Sequence, residues 1–488
     1  MVLRLSHRGL RGAQNRKSVA AHRAQSRLAR RMPDGRLPCH HSSMRFQNEF
    51  VIPYDRERVV EWYYRSGAFA RLAPSFHHVT MDGPMAPVHD GMVNSFKLRA
   101  GPLKLNWKAL HQVDSERNFT DVMLKGPFGE WRHFHQFISA GQSTRLVDEV
   151  HWEAPMSRAL SRPLKGPVDD SLRRYFCFRN RRLSLDLKRH EKFKERPRLK
   201  IGITGATGLI GAALSAFLST GGHEVYHFVR RTPKHEREIF WDLNQQKVEV
   251  QKMEGLDVVV HLAGENIGGK RWSPEFKKKV IESRRRGTEL IARSLAALKG
   301  KPRRLISASA IGVYAGGFLG EVCEAWEKAL APALNQPELK VTIARLGVVL
   351  SAKGGALKEL TLPTLLGLGA RIGSGMQPIS WIAHDDVIGA VHELIMNPEA
   401  TAPIYDLVSP KPVPQADLSK TLAKVLRRPH WFAIPARVIK IIFGQMGEEV
   451  LLSGTAVEPA ALQTLNFDFE FCELEDVLRF ELGREKCV

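Results

Sequence analysis

The stretch that most constrains the fold is "LKIGITGATGLIGAALSAFLSTGGHEVYHFVRR", residues 199–231. Leu199 to Thr204 is a short, apolar, β-branched run, as expected of a parallel strand buried on both faces. Gly205, Gly208 and Gly211 follow at the spacing GxxGxxG. A helical run from Ala212 to Ser219 and a second strand-like run, "HEVYHFV", come next. Gly205 allows a tight turn, Gly208 lets the backbone approach a pyrophosphate, and Gly211 lets helix and strand pack closely with the helix N-terminus facing the anion. Three glycines alone are a weak signal; the strand before and the helix after make it a strong one.

The second strand ends at Val229-Arg230-Arg231. A fold that prefers NAD places Asp or Glu near this point to hold the ribose 2′-hydroxyl. Two arginines suit a 2′-phosphate instead, by charge and by forked hydrogen bonds, so NADP is predicted over NAD. The competing reading is an exposed basic turn. "GLDVVVHLAGEN" follows as a strand with the small residues Ala263 and Gly264 at its end, beside the adenine side of the cofactor. "SRRRGTELIARSLAAL" reads as a helix, and "RRLISASAIGVY" and "KVTIARLGVVL" as further strands. Strands alternating with helices give an α/β, Rossmann-type doubly wound parallel sheet.

Across residues 199 to about 397 the chain closely resembles the extended short-chain dehydrogenase/reductases. More narrowly it is similar to the NAD-dependent epimerase/dehydratase-like "epimerase family", through "GITGATGLIG", "FVRR", "HLAGENI", "GKRWSPEFKKKVIESRRRGT", "SASAIGVY", "FLGEVCEAWE", "ARLGVVL" and "GSGMQPISWIAHDDVIGA". Residues 434–482 resemble the small domain of unknown function that caps that family. The resemblance implies that Gly205, Thr207, Gly208, Leu209 and Ile210 hold the pyrophosphate, and that Arg230 and Arg231 meet the 2′-phosphate. It also implies that Leu262, Ala263 and Gly264 line the adenosine side, that Arg284 reaches cofactor or substrate, and that Ser309 stands near the active-site Ser/Thr. In related reductases a tyrosine moves the proton and a lysine four residues on lowers its pKa. None of the seven tyrosines here has such a lysine; the two positions fall at Leu319 and Cys323, and the loop before them is about a dozen residues shorter than in relatives. Glu321, Glu324, Tyr314, Asp385 and Asp386 are the other candidate proton carriers, each set against a capping or packing role. Trp272, Gln377 and Trp381 are expected as pocket walls.

Residues 45–195 read as a separate α+β domain. A strand "FQNEFVIP" precedes a helix "DRERVVEWYYRSGAFARLAP" with Asp55 as N-cap. A meander of alternating segments split by Gly and Pro follows. The domain ends in a long helix with Val168, Leu172, Tyr175, Phe176, Leu183 and Leu187 on one face. This order resembles the helix-grip fold of the START-like polyketide cyclase and lipid-transport superfamily. Trp131, His133, His135 and Phe137 share one strand face, either packed on the long helix or lining a cavity for an apolar ligand. No carboxylate stands at metal-ligand spacing from the two histidines, so no metal site is expected.

The net charge is +22, of which residues 1–44 supply +9 (nine Arg and one Lys against one Asp), leaving 22 − 9 = +13 for the rest. No aromatic residues alternate with the charges, so a solvated basic surface is expected and no nucleic-acid partner. The 1–44 tail is Arg-rich and acid-poor, like a mitochondrial presequence, or is an extension upstream of a start at Met44; either way it is expected to be disordered. Five scattered cysteines fit a reducing, cytoplasmic compartment, and no run is long enough for a membrane helix. The expected organisation is a tail (1–44), a START-like domain (45–195), an NADP-binding domain (199–433) and a C-terminal cap (434–488). Two functions fit: an NADP-dependent oxidoreductase or epimerase acting on a small molecule, or a cofactor-binding sensor or lipid-binding fusion without turnover.

Overall fold

The computed structural model describes residues 43–81, 86–100, 103–155, 161–268, 270–300 and 302–485. The reading of residues 1–42 as a disordered tail lies outside them. Seven strands form the first sheet: β1 (Met44–Ile52), β2 (His78–Met81), β3 (Val93–Ala100), β4 (Leu103–Val113), β5 (Phe119–Lys125), β6 (Glu130–Ala140) and β7 (Ser143–Glu153). They pair antiparallel in the order β1-β7-β6-β5-β4-β3-β2. The expected first helix is two, α1 (Arg56–Tyr64) and α2 (Ala68–Leu72). Asp55 caps α1, its carboxylate accepting from the Arg58 N–H at 3.0 Å. The break falls at Gly67, whose φ is +98° and where a Cβ would lie 2.5 Å from the carbonyl oxygen of Ala216 in the second domain. A close approach between domains therefore ends the helix. The long helix α3 (Ser161–Glu191) lies against the sheet, with Leu172 and Phe176 packed on Phe46, Val150 and Trp152.

The second sheet has eight strands: β8 (Lys200–Thr204), β9 (Glu224–Val229), β10 (Glu238–Asp242), β11 (Lys247–Val248), β12 (Val258–His261), β13 (Arg304–Ala310), β14 (Lys340–Leu346) and a last strand at Ile404–Leu407. Their order is β11-β10-β9-β8-β12-β13-β14 and then the last strand. All pairs are parallel except β10–β11. From β8 the chain runs one way to β9 and β10 and then returns to β12 on the other side, which makes the β8/β12 gap the switch point where such sheets bind ligands. Helices α4 (Leu209–Thr220) and α5 (Pro274–Ala297) cover opposite faces, as their separate cores show. The run "KVTIARLGVVL" splits at Gly347, where a Cβ would meet the Ser380 carbonyl at 2.5 Å, so Val348–Leu350 leaves the sheet and pairs with Trp381–Ala383.

The domains are bolted together by charge. The Arg71 guanidinium on α2 forks onto Asp186 of α3 (2.8 and 2.6 Å) and reaches Asp385 (3.0 Å), which also pairs with Arg182 (2.7 Å). Arg189 donates to the Asp385 carbonyl (2.7 Å) and the Asp386 carboxylate (2.8 Å), and Asp386 also accepts the backbone N–H groups of Glu470 and Phe471. All six side chains are buried. Beside them His190 and His392 meet Phe217 and His223 meets His392 at 6.2 Å, with the His190 ring stacked on Phe217 at 4.3 Å and 5.7 Å from His392. Burial, and then their mutual repulsion, holds His190 and His392 well below the usual imidazole value. Burial pushes His223 down to about 4.

These histidines bind protons more readily unfolded than folded. Their contribution is therefore constant above pH ~6.5 and is lost as pH falls towards 4, by about 1.4 kcal/mol per pH unit for each one that stays neutral in the native state. Denaturant unfolding between pH 7 and 5 should show stability falling with acid, and His392→Leu should flatten that slope by about one proton. An unchanged slope would remove this seam from the account of acid lability.

Candidate functional site: a dinucleotide cradle

At the end of β8, Gly205 turns the chain at φ +67°, where a Cβ would crowd the Leu262 carbonyl group and the Ala263 nitrogen at 3.0 Å. The Gly208 N–H donates to the Gly205 carbonyl at 2.9 Å. Gly208 caps α4 in an extended conformation with no side-chain hydrogen bond, so the first N–H groups of the helix, those of Leu209 and Ile210 among them, are left for a ligand. A Cβ on Gly211 would lie 2.2 Å from the Gly205 oxygen, so only glycine lets the helix sit this close to the turn. Thr207 and Gly208 are exposed at the mouth. The residues present fit a diphosphate, by bare backbone donors at a helix N-terminus.

A buried polar strut, which sequence reasoning missed, holds the turn. The Thr204 hydroxyl oxygen accepts the N–H groups of Leu262 (3.0 Å) and Ala263 (3.2 Å) and lies 2.8 Å from His261 Nδ1, while His261 Nε2 lies 3.0 Å from the Thr288 hydroxyl. With its oxygen accepting twice, Thr204 donates its proton to Nδ1, and His261 donates from Nε2 to Thr288. Burial pushes His261 down to about 4, which keeps it neutral as this chain requires. The signal was present in the sequence as a polar residue, Thr204 or His261, closing each of two apolar strands, without the pairing that joins them.

The two arginines after β9 separate in role. Arg230 is exposed, and its guanidinium has no hydrogen-bond or ion-pair partner among the described residues. Arg231 is engaged by Glu238 through both carboxylate oxygens (2.8 Å for the longer contact), and Glu238 also accepts the Lys234 N–H at 2.6 Å. The hydrogen bond from Arg231 pulls Glu238 down to about 2. Leu262, Ala263 and exposed Gly264 border the turn, and the Arg284 guanidinium lies against Gly264 and 4.8 Å over the Trp326 ring, with its Nε unpartnered. The glycine turn, Leu262, Ala263, Gly264 and Arg284 are thus brought together at the β8/β12 switch point, and Arg230 and Arg231 follow the neighbouring strand β9.

Ser309 lies at the end of β13, 1% exposed, donating to Glu327 Oε1 at 2.7 Å. Glu327 is forked by Arg345 (2.9 and 2.8 Å), Arg345 Nη1 donates to the Tyr314 oxygen at 2.7 Å, and the Tyr314 hydroxyl donates to Asp406 at 3.0 Å. Helix α6 (Gly317–Lys328) carries Leu319 and Cys323, the two positions at which the reductase pattern is expected to place tyrosine and lysine. Its N-terminus is capped by Glu449 of the C-terminal segment, which accepts from the N–H groups of Phe318 (3.2 Å) and Leu319 (3.0 Å). Burial pushes the Cys323 thiol up, away from a reactive thiolate. Glu321 and Glu324 face solvent. Asp385 and Asp386 anchor the domain seam. Trp381 is fully buried with its indole N–H on the Lys411 carbonyl, and Gln377 holds backbone at Ile372 and Leu451, so both side chains are fixed in the interior.

In the first domain, His133 packs on Phe176 of α3 (ring centroids 5.5 Å), as expected, but it also shares a polar cluster with His135, Asp121 and Asp148 on the wall of a cavity. The carboxylates were not found by spacing because they come from neighbouring strands: Asp121 pairs across from His133, and Asp148 from His135. Burial pushes Asp121 and Asp148 up, but hydrogen bonds from the histidines outweigh it and hold both below the usual carboxylate range. Burial, and then the charge of His135, push His133 down to about 4.

Residues 201–325 match the NAD dependent epimerase/dehydratase family, and residues 434–481 match a domain of unknown function, DUF1731. The epimerase family protein Mb2239 of Mycobacterium bovis is 34% identical over 298 residues, which are 58% of this chain and 98% of that protein. The epimerase family protein YfhF of Bacillus subtilis is 30% identical over 309 residues, 59% and 100% respectively. Among solved structures, the nucleoside-diphosphate sugar epimerase of Corynebacterium glutamicum is 30% identical with a TM-score of 0.73 over 90% of this chain and 91% of its own. That span is too long to leave out the first sheet. Human epimerase family protein SDR39U1, solved with NADPH, is 27% identical with a TM-score of 0.54 over 58% of this chain and 99% of its own. No helix among the described residues is long and apolar enough to cross a membrane.

Gly211→Val should push α4 off the turn and cost about 1–3 kcal/mol of stability. It should also abolish dinucleotide binding, whereas Gly255→Ala at an open turn should leave binding unaltered. Calorimetry and denaturant melts on both variants check this.

Proposed function

The chain belongs to the epimerase family, and from that premise we propose that it binds NADP(H) in the Gly205–Ile210 cradle and acts as an oxidoreductase or nucleotide-sugar epimerase-type enzyme on a small molecule. The observation that carries the reading is the uncapped α4 N-terminus at the β8/β12 switch point. Support for NADP comes from Arg230, which is unpartnered, and from Glu238, whose carboxylate is held by Arg231 and the Lys234 N–H and is not free for a ribose hydroxyl. Among the described residues Cys177, Cys323 and Cys472 form no disulfide, which supports a reducing, cytoplasmic setting. The seven-stranded sheet around α3 supports reading the first domain as START-like, with its cavity as a small-ligand site.

The bound nicotinamide supplies or accepts a hydride. For the proton, the group we assign is Tyr314, at the end of the serine strand and 46% exposed. Burial raises Tyr314 above its ordinary value, so the phenol is protonated near neutrality, and the hydrogen bond from Arg345, which pulls against that rise, is what eases the proton away. Ser309 and Glu327 act beneath it as positioning residues, by fixing Arg345. A second reading, cofactor binding without turnover, is favoured by the burial of Ser309 and by the apolar and thiol side chains at Leu319 and Cys323.

Calorimetry should find NADPH binding that Arg230→Ala weakens about tenfold or more, with NADH binding unaltered; no heat with either cofactor would overturn the reading. On any carbonyl or sugar-nucleotide substrate that turns over, Tyr314→Phe should lower kcat by about 100-fold with NADPH affinity intact. Full activity in that variant would remove Tyr314 from the mechanism, and no turnover on a broad substrate panel would favour the second reading.

A further inference from the structure

The first sheet carries a row of donors that the dinucleotide chemistry does not use. His111 of β4, Asp121 of β5 and His133 of β6 stand directly opposite one another across three strands. His135, two residues along β6, faces the same side and pairs across with Asp148 of β7. Asp121, His133 and His135 each bring one ligand atom within 4.8 Å of the others. A tetrahedral zinc site with bonds of about 2.1 Å needs donors about 3.4 Å apart, so side-chain adjustments of under about 1 Å each would close the set.

The partners behind these three groups are arranged as ligand supports. One oxygen of Asp148 lies 2.9 Å from His133 Nε2 and 2.8 Å from His135 Nδ1, so it accepts one N–H from each ring; His135 Nε2 is turned to Asp121 Oδ2 at 3.3 Å, and a cation between the two would take that nitrogen's lone pair. His111 contacts Asp121 through Nδ1, and its Nε2 is fixed by Asn94 at 2.7 Å. Each of the three donors is therefore oriented by a second group, as metal ligands are. His133, His135 and Asp148 are at most 6% exposed. Asp148 is buried and Asp121 half-buried, and holding two carboxylates this close is costly without a compensating cation. Arg179, also on the cavity wall and 5% exposed, supplies one positive charge. Imidazoles that ligate a metal do so as neutral rings, and the groups around the site then carry −2 from Asp121 and Asp148 and +1 from Arg179, a net −1 that a divalent ion answers.

The space in front of the donors suits an open coordination position. The cavity holds about 80 Å³ and is lined by these groups together with Tyr63, Met92 and Tyr175; at about 30 Å³ per water it takes two or three waters or a small polar ligand. The buried Arg179 Nε has no hydrogen-bond partner, so a donor is also available beside such a ligand.

We propose that this cavity binds one divalent transition-metal ion of the zinc class through Asp121, His133 and His135, with Asp148 and His111 orienting the ligands and a fourth position open to the cavity.

The test is metal content and titration on the full-length protein. After removal of metal with a chelator, Zn2+ and Co2+ should each bind at one ion per chain at micromolar concentrations, with Co2+ giving visible d–d absorption. Asp121→Asn and His135→Gln, chosen to preserve shape, should each weaken binding about 100-fold. Absence of stoichiometric binding of either ion by the wild-type protein would overturn the proposal, and that measurement does not depend on the variants folding. Binding that survives both substitutions would also overturn it, because the ion would then sit elsewhere, the Cys39-His40-His41 run of the tail being the obvious place.

Discussion

The molecule depends on three arginines meeting three aspartates where its domains touch. Arg71, Arg182 and Arg189 come from the first domain and its long helix; Asp186 stands on that helix, and Asp385 and Asp386 open the helix His384–Met396 of the second domain. Buried ions gain little net stability as a set, but removing one partner leaves an uncompensated charge in the interior. The lattice therefore selects one arrangement of the domains over all others. Asp386 extends it by accepting two backbone N–H groups of the C-terminal segment, and Phe178 of α3 stacks on Phe480 of that segment at 4.6 Å. Three stretches that read as separate units in the sequence close on a single charged core.

That core explains why the cradle is well built while the proton chemistry beside it departs from the reductase pattern. The cradle needs only backbone: a turn, a close helix approach and free N–H groups. Its requirements are met by glycine at three positions, with the Thr204–His261–Thr288 strut below. Proton transfer needs particular side chains at a particular distance. Here the helix that would carry them is capped by Glu449 of the C-terminal segment, and Ser309 is drawn into an ion pair between Glu327 and Arg345.

Most of the strands and the cradle were legible because each obeys a local rule. Alternation marked β3 to β7, an apolar run marked β8, and the glycine spacing marked the turn. What escaped was set by partners distant in the chain. Gly67 breaks a helix because of Ala216, and Gly347 breaks a strand because of Ser380. Asp385 and Asp386 read as caps for the helix they begin, yet their carboxylates answer arginines about 200 to 300 residues away. The same limit hid the carboxylates beside His133 and His135, since cross-strand neighbours carry no fixed spacing in sequence. Arg230 and Arg231 were legible as a basic pair, but only the fold, by placing Glu238 beside the second, divides a free guanidinium from an occupied one.

The two candidate sites are joined by rigid elements rather than by the linker between domains. Gly67, on the cavity wall, touches the backbone of Ala216 in α4, and α4 begins at the cradle. From Ala216 back to Gly208 is eight residues, or about 12 Å at 1.5 Å per residue. On the other wall Arg179 stands ten residues before Arg189 on α3, about 15 Å along the same helix. A ligand that shifted α2 at the cavity would press on α4 at Gly67, where there is no side chain to yield, while the Arg71 ion pairs a few residues on resist that shift. The seam thus sets the cavity wall and the dinucleotide cradle along one helix, so that a displacement at either is met by the same rigid elements.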